Sequence, residues 1–160
     1  MRYLALDPGV CTGWAVFEDG PGRPPGLPTL YACGVAKEED VDYEKMYLPH
    51  SSVIELPQIY SAKDSKGDPN VNIVPLILMV GRYQERLQGG GVHVELYLPR
   101  EWKGQLDKAV HHPRIYGALS PKEQGIVAKA GNGIAPSLRH NMMDAVGLGQ
   151  WACKHGKWVK

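Results

Sequence analysis

Three acidic residues stand where an ionised side chain is costly unless something receives it. Asp7 closes the apolar run Tyr-Leu-Ala-Leu-Asp and is followed at once by Pro8-Gly9. Glu55 lies inside the apolar, β-branched stretch Val53-Ile54-Glu55-Leu56. Asp144 falls in a segment whose apolar positions, Leu138, Met142, Ala145, Val146 and Gly149, recur at helical spacing. A buried carboxylate needs a cation or hydrogen-bond donors. Each acid also has an ordinary reading: a turn-forming Asp-Pro-Gly, an outward glutamate on a half-exposed strand, a polar position on a surface helix. Taken together, two strand acids and one helix acid form a natural oxygen cage for Mg²⁺ or Mn²⁺. Two such ions about 4 Å apart would activate a water and stabilise the oxygen leaving a phosphodiester. His140 and Asn141 precede Asp144 by four and three residues, so the trio is expected on one side of a helix.

The elements that must hold these residues can be read from periodicity and punctuation. Residues 2–7, 12–18 and 30–36 are expected strands of an N-terminal meander, with the Gly- and Pro-rich stretch 20–28 as a loop. A short helix is possible around 43–47, and 52–56 is a fourth strand closed by Pro57. Residues 72–87 suit a largely buried helix, apolar nearly all round, with Pro75 in its first turn. Gly89-Gly90-Gly91 ends it, 93–98 is a fifth strand, and Pro99 opens a polar segment. Helices follow at about 108–119 and 121–129, the latter capped by Ser120; Ser137 is expected to cap a last helix running to about Cys153. This order predicts one α/β domain over 1–160. Its mixed five-stranded sheet would be an antiparallel three-strand meander plus parallel crossovers, flanked by helices.

Composition limits the alternatives. At 160 residues the chain has room for one ordinary domain. No apolar run approaches the roughly 20 residues of a membrane helix, and the N-terminus reads as a strand instead of a leader, so a cytosolic protein is expected. Cys11, Cys33 and Cys153 are scattered without a CxxC pair, which argues for free thiols over a disulfide framework or zinc site. The net charge of +1 lends no general support to nucleic-acid binding. Charge is nevertheless unevenly spread: acids crowd 38–42, whereas Arg100, Lys103, Lys108, Arg114 and the pair His111-His112 gather potential cations.

The segments LALDPGVCTGWAVFEDG (4–20), SVIELPQIYSAK (52–63), VELYLPREWKGQLDKAVHH (94–112) and RHNMMDAVGLGQWA (139–152), in that order, resemble RuvC-type Holliday-junction resolvases, in particular the short RuvC-like proteins of phages and prophages. The resemblance implies an RNase H-like fold and a metal-dependent endonuclease acting on branched DNA as a homodimer in the host cytoplasm, away from membranes. It implies that Asp7, Glu55 and Asp144 hold two Mg²⁺ or Mn²⁺ ions. The family usually has an acid or histidine three residues before its last aspartate; here that position is Asn141, with His140 beside it, so either could complete the site. Lys103 and Lys108 match lysines near the scissile phosphate. Tyr60, in a looser match, would stack on opened bases, and Lys63 and Arg100 would touch DNA. The helix at 72–87 is the expected dimer interface. Two other enzymatic classes stay open: an RNase H-like nuclease for flaps, RNA or packaging, and a nucleotide-handling module related to actin-like ATPases, for whose two lobes the chain is short. A DNA-binding relative that has lost catalysis is the non-enzymatic alternative.

Overall fold

In the computed structural model, described over residues 1–20, 28–37, 49–59 and 73–158, five strands form one sheet. In chain order these are β1 (Arg2–Asp7), β2 (Thr12–Glu18), β3 (Thr29–Ala36), β4 (Ser51–Glu55) and β5 (His93–Tyr97). Their spatial order is β3-β2-β1-β4-β5. The first three pair antiparallel, and β4 runs parallel to both β1 and β5. The helices are α1 (Ile73–Gly89), α2 (Pro99–Trp102), α3 (Lys108–Gly117), α4 (Pro121–Asn132) and α5 (Arg139–Lys154). The expected meander and parallel crossovers are thus both present.

Alternation along the strands divides the core in two. Leu4, Leu6, Val16 and Ile54 face one side and bury Val80, Tyr83 and Leu87 of α1. Tyr3, Ala5, Phe17 and Val53 face the other and meet α5, with α3 packed on α5 and α4 on β3. Asp7 follows Ala5 on this second face, and Glu55 follows Val53. Both acids therefore point toward α5 at the carboxyl ends of neighbouring parallel strands, where open α/β sheets place their ligands.

One glycine sets the height of α5. Gly13 is the register partner of Asp7, and a Cβ there would collide with the backbone carbonyl of Asn141. Helix and strand touch backbone to backbone at this point. Gly149 repeats the device further along, where a Cβ would strike the ring of Phe17. The helix is consequently sunk into the sheet, and Met142 through Gly149 are all buried.

Several expectations need correction. Helix α1 buries only Val80, Tyr83 and Leu87; Val74, Ile77 and Leu78 are exposed. It packs against the sheet along one stripe instead of being enclosed, so an all-round apolar sequence overstated its burial. Ser137 does not cap α5: it lies in a 3-10 turn, Pro136–Leu138, and Leu138 occupies the capping position without a side-chain bond. The proline starts a turn one residue earlier than the serine signal suggested. The segment after Pro99 is helical over Pro99–Trp102. Ser120 does cap α4, exchanging hydrogen bonds with Glu123. The possible helix at 43–47 lies outside the described residues.

Candidate active site

Asp144 is the centre of a cluster built from five elements, β1, β4, α2, α3 and α5. It is 1% exposed, three residues beyond the point where α5 rests on Gly13. That places it about 4.5 Å further along the helix axis, on the sheet face that carries Asp7. His112 of α3 reaches its Oδ1 through Nε2 at 3.0 Å. Lys108 Nζ, at the start of α3, lies 3.1 Å from its Oδ2, and Lys103 Nζ lies 3.7 Å from the same oxygen. The first turn of α3 is fixed by Asp107, whose side chain accepts from the Ala109 amide.

Glu55 is held from the other direction. Trp102, the last residue of α2, donates its indole Nε1–H to Oε2 at 2.8 Å, and Lys103 Nζ sits 3.3 and 3.1 Å from the two carboxylate oxygens. The same ammonium lies 4.8 Å from the centre of the Trp102 ring. Lys103 is 16% exposed and links Glu55 to Asp144. Asp7 differs from both: protein crowds its carboxylate, yet among the described residues it forms no hydrogen bond or ion pair.

The electrostatics follow from these contacts. Burial pushes the Asp7 carboxyl well above the ordinary carboxylate range, and repulsion from Glu55 and Asp144 adds to it against the pull of Lys103 and Lys108. Glu55 is raised by burial, with Lys103 opposing. Burial acts upward on Asp144 too, but Lys103, His112 and Lys108 outweigh it and the group lies below its usual value. Burial would lower Lys103, but Glu55 and Asp144 more than reverse that. The centre thus sets three carboxyls against two ammonium groups, and Asp7 is the acid whose ionisation is most strongly opposed.

Such a centre suits a hard divalent cation in donor type: carboxylate oxygens, among them a half-buried Asp7 with no hydrogen bond or ion pair among the described residues, and an imidazole at the margin. Its spacing is that of a lysine-bridged state. Among the described residues no three His, Cys, Asp or Glu side chains form a finished metal cage. Lysine ammonium groups occupy the space beside Glu55 and Asp144 that a cation would share.

The remaining expected residues fall in different places. Asn141 donates Nδ2–H to the Cys11 carbonyl at 2.8 Å, so its amide ties α5 to the β1–β2 turn. His140 lies within electrostatic reach of Lys108, Asp144 and His112, and burial together with Lys108 lowers its pKa. Arg100 is exposed on the wall of a cleft of about 600 Å³ that also includes Gln58, Lys103, Lys108 and His111. This cleft reaches the acids through the two lysines. Tyr60 and Lys63 lie outside the described residues. Trp102 and the contact from His112 to Asp144 were not anticipated as parts of the site. The sequence did carry the His111-His112 pair as possible cations, but it held no signal that an indole would serve Glu55.

No family profile matches the chain, and no characterised protein sequence does. Solved structures do. T. thermophilus RuvC in complex with a Holliday junction substrate aligns over 98% of this chain and 96% of its own, at 17% identity and a TM-score of 0.63. A second Thermus thermophilus RuvC structure aligns over 98% and 97%, at 20% identity and 0.51. Fowlpox virus resolvase, in complex with substrate Holliday junction DNA, aligns over 94% and 97%, at 16% identity and 0.55. At these identities the likeness establishes the fold: this chain has the RNase H-like architecture of RuvC and the poxvirus resolvase. All three cysteines are free, and among the described residues no helix is long and apolar enough to cross a membrane.

Proposed function

We propose that this chain is a metal-dependent endonuclease that cuts branched DNA, four-way junctions in particular. The observation that carries the reading is the convergence of Asp7, Glu55 and Asp144, with Lys103 bridging Glu55 and Asp144 and Lys108 paired to Asp144, at the edge of a cleft lined by cations. The fold is shared with two proteins whose structures contain Holliday junctions, which supports that substrate class.

Asp7, Glu55 and Asp144 would hold Mg²⁺ or Mn²⁺. When bound, a pair of such ions supplies Lewis acidity that acidifies a water and stabilises the leaving 3′ oxygen. Trp102 keeps Glu55 in one orientation by donating to a single carboxylate oxygen. His112 does the same for Asp144. Lys103 and Lys108, beside these carboxylates, would meet the negative charge that develops on the phosphoryl oxygens. Arg100 would bind the strand leading into the cleft. Asn141 acts on this reading by holding the β1–β2 turn that follows Asp7. The exposed Val74, Ile77 and Leu78 on α1 support a homodimer, whose two-fold symmetry would match a junction with two strands to cut.

The test uses labelled four-way junction, flap, linear duplex and RNA–DNA hybrid, each with Mg²⁺, Mn²⁺ or EDTA. Paired symmetric nicks confined to the junction and lost in EDTA are the expected result. Stronger cutting of the flap or hybrid would transfer the activity to the other substrate class, and no cutting with any metal would refute it.

A further inference from the structure

Helix α3 borders a second hollow besides the cleft that reaches the acids. His111 lines both, and the second, about 290 Å³, lies beyond it between α3 and α5. Lys108, His111, Arg114 with Ile115, and Ala118 recur every three to four residues, so one edge of the helix runs from the first hollow into the second. Between Lys108 and Arg114 this edge advances about 9 Å, two to three nucleotide steps of a duplex strand at about 3.4 Å each.

The chemistry of the second hollow is that of an anion site with an aromatic wall. Arg114, Lys154 and His155 line it, and no aspartate or glutamate does. Arg114 and Lys154 are exposed and, among the described residues, form no ion pair. The Trp151 ring is stacked on His155 at 4.9 Å and braced edge-on by Tyr97 at 4.8 Å. Where the two hollows adjoin, His111 Nε2 is buried without a hydrogen-bond partner among the described residues. Unpaired cations beside a held aromatic face suit a polyanion that also carries flat rings.

We infer that this second hollow is a nucleic-acid subsite, binding the substrate strand beyond the scissile position. Arg114 and Lys154 receive its phosphates, and the Trp151–His155 pair offers a surface to an unstacked base. The inference rests on the proposed action on DNA and extends it by naming where the strand goes after the cleft.

The experiment compares wild type, the double variant Arg114→Gln/Lys154→Gln, and a control, Lys122→Gln/Lys129→Gln, that removes equal charge from the exposed face of α4. Junction affinity is measured by fluorescence anisotropy across a salt series in EDTA, and thermal melting checks folding. The double variant should bind roughly tenfold or more weakly at about 0.15 M salt, and its log–log salt slope should fall by about 2, one for each lost phosphate contact. The control should keep most of both, and cut positions with metal should not move. Unchanged affinity and slope in the double variant, or an equal loss in the control, would overturn the subsite while leaving the nuclease reading intact. Failure of the wild type to bind any DNA would instead remove the reading itself, and the subsite with it.

Discussion

Lys103 Nζ lies 3.1 Å from Glu55 Oε2, so the side chain proposed to serve the phosphate is also the one that occupies a carboxylate proposed to bind metal. The two roles conflict at one atom. Lys103→Ala should therefore separate them: Mn²⁺ should bind more tightly, as read by calorimetry or electron paramagnetic resonance, while the single-turnover cleavage rate falls by about 10²–10³, the usual cost of losing one charge-stabilising group. Weaker Mn²⁺ binding in the variant would show that the lysine supports the metal site instead of competing with it.

Asp7 carries a stability penalty with a definite pH dependence. Its carboxyl lies above the ordinary range in the folded protein, so the fold binds more protons there than the unfolded chain. The penalty is absent below the unfolded-state pKa, grows as pH rises through the interval up to the folded value, and is full above it. In EDTA, Asp7→Asn should raise the melting temperature at neutral pH, by about 2–4 °C for each kcal/mol of burial and repulsion penalty removed. That gain should vanish on acidification below the ordinary carboxylate range. Cleavage should be abolished throughout. A variant less stable than wild type at neutral pH would contradict the charge assignment.

Trp102→Phe removes the donor to Glu55 and keeps an aromatic ring, though the part of the indole that faces Gly147 is lost as well. A hydrogen bond to a charged group contributes about 1.5–3 kcal/mol, so denaturant unfolding should register a loss of that order. Cleavage should slow along with it. Normal stability and rate would mean that Lys103 alone orients the glutamate.

Asn141→Asp distinguishes a tether from a missing ligand. Aspartate cannot donate to the Cys11 carbonyl and would set acceptor against acceptor at 2.8 Å. The expected outcome is a stability loss of roughly 1–3 kcal/mol, seen as a lower melting temperature, and no increase in cleavage. Faster cleavage with tighter metal binding would make position 141 a ligand after all.

Much of this centre could be read from the chain because its strongest signals are local. Asp7 and Glu55 end apolar strands, and alternation alone puts each on a definite face. The Ser120 cap on α4 is likewise a short-range pattern completed by Glu123. What escaped is through-space. Trp102 and Glu55 are 47 residues apart, and His112 and Asp144 are 32 apart; only the packing of α2 and α3 against α5 brings them together. Asn141 resembles a weak ligand by its place before Asp144, whereas its bond crosses 130 residues to Cys11. The open face of α1 was hidden for a different reason: hydrophobic periodicity reports what a helix could bury, and Val74, Ile77 and Leu78 remain uncovered in the single chain.

The contact at Gly13 has a mechanical consequence. Where two elements meet through side chains, rotamer changes can absorb a fraction of an ångström. Here the carbonyl of Asn141 rests on a strand position with no Cβ, so there is no torsion to adjust. The backbones that carry the helix acid and the strand acid are thereby gauged against each other by main chain alone. Adaptation to cations of different radius falls to the side-chain torsions of the acids and to Lys103 and Lys108, at the end of α2 and the start of α3.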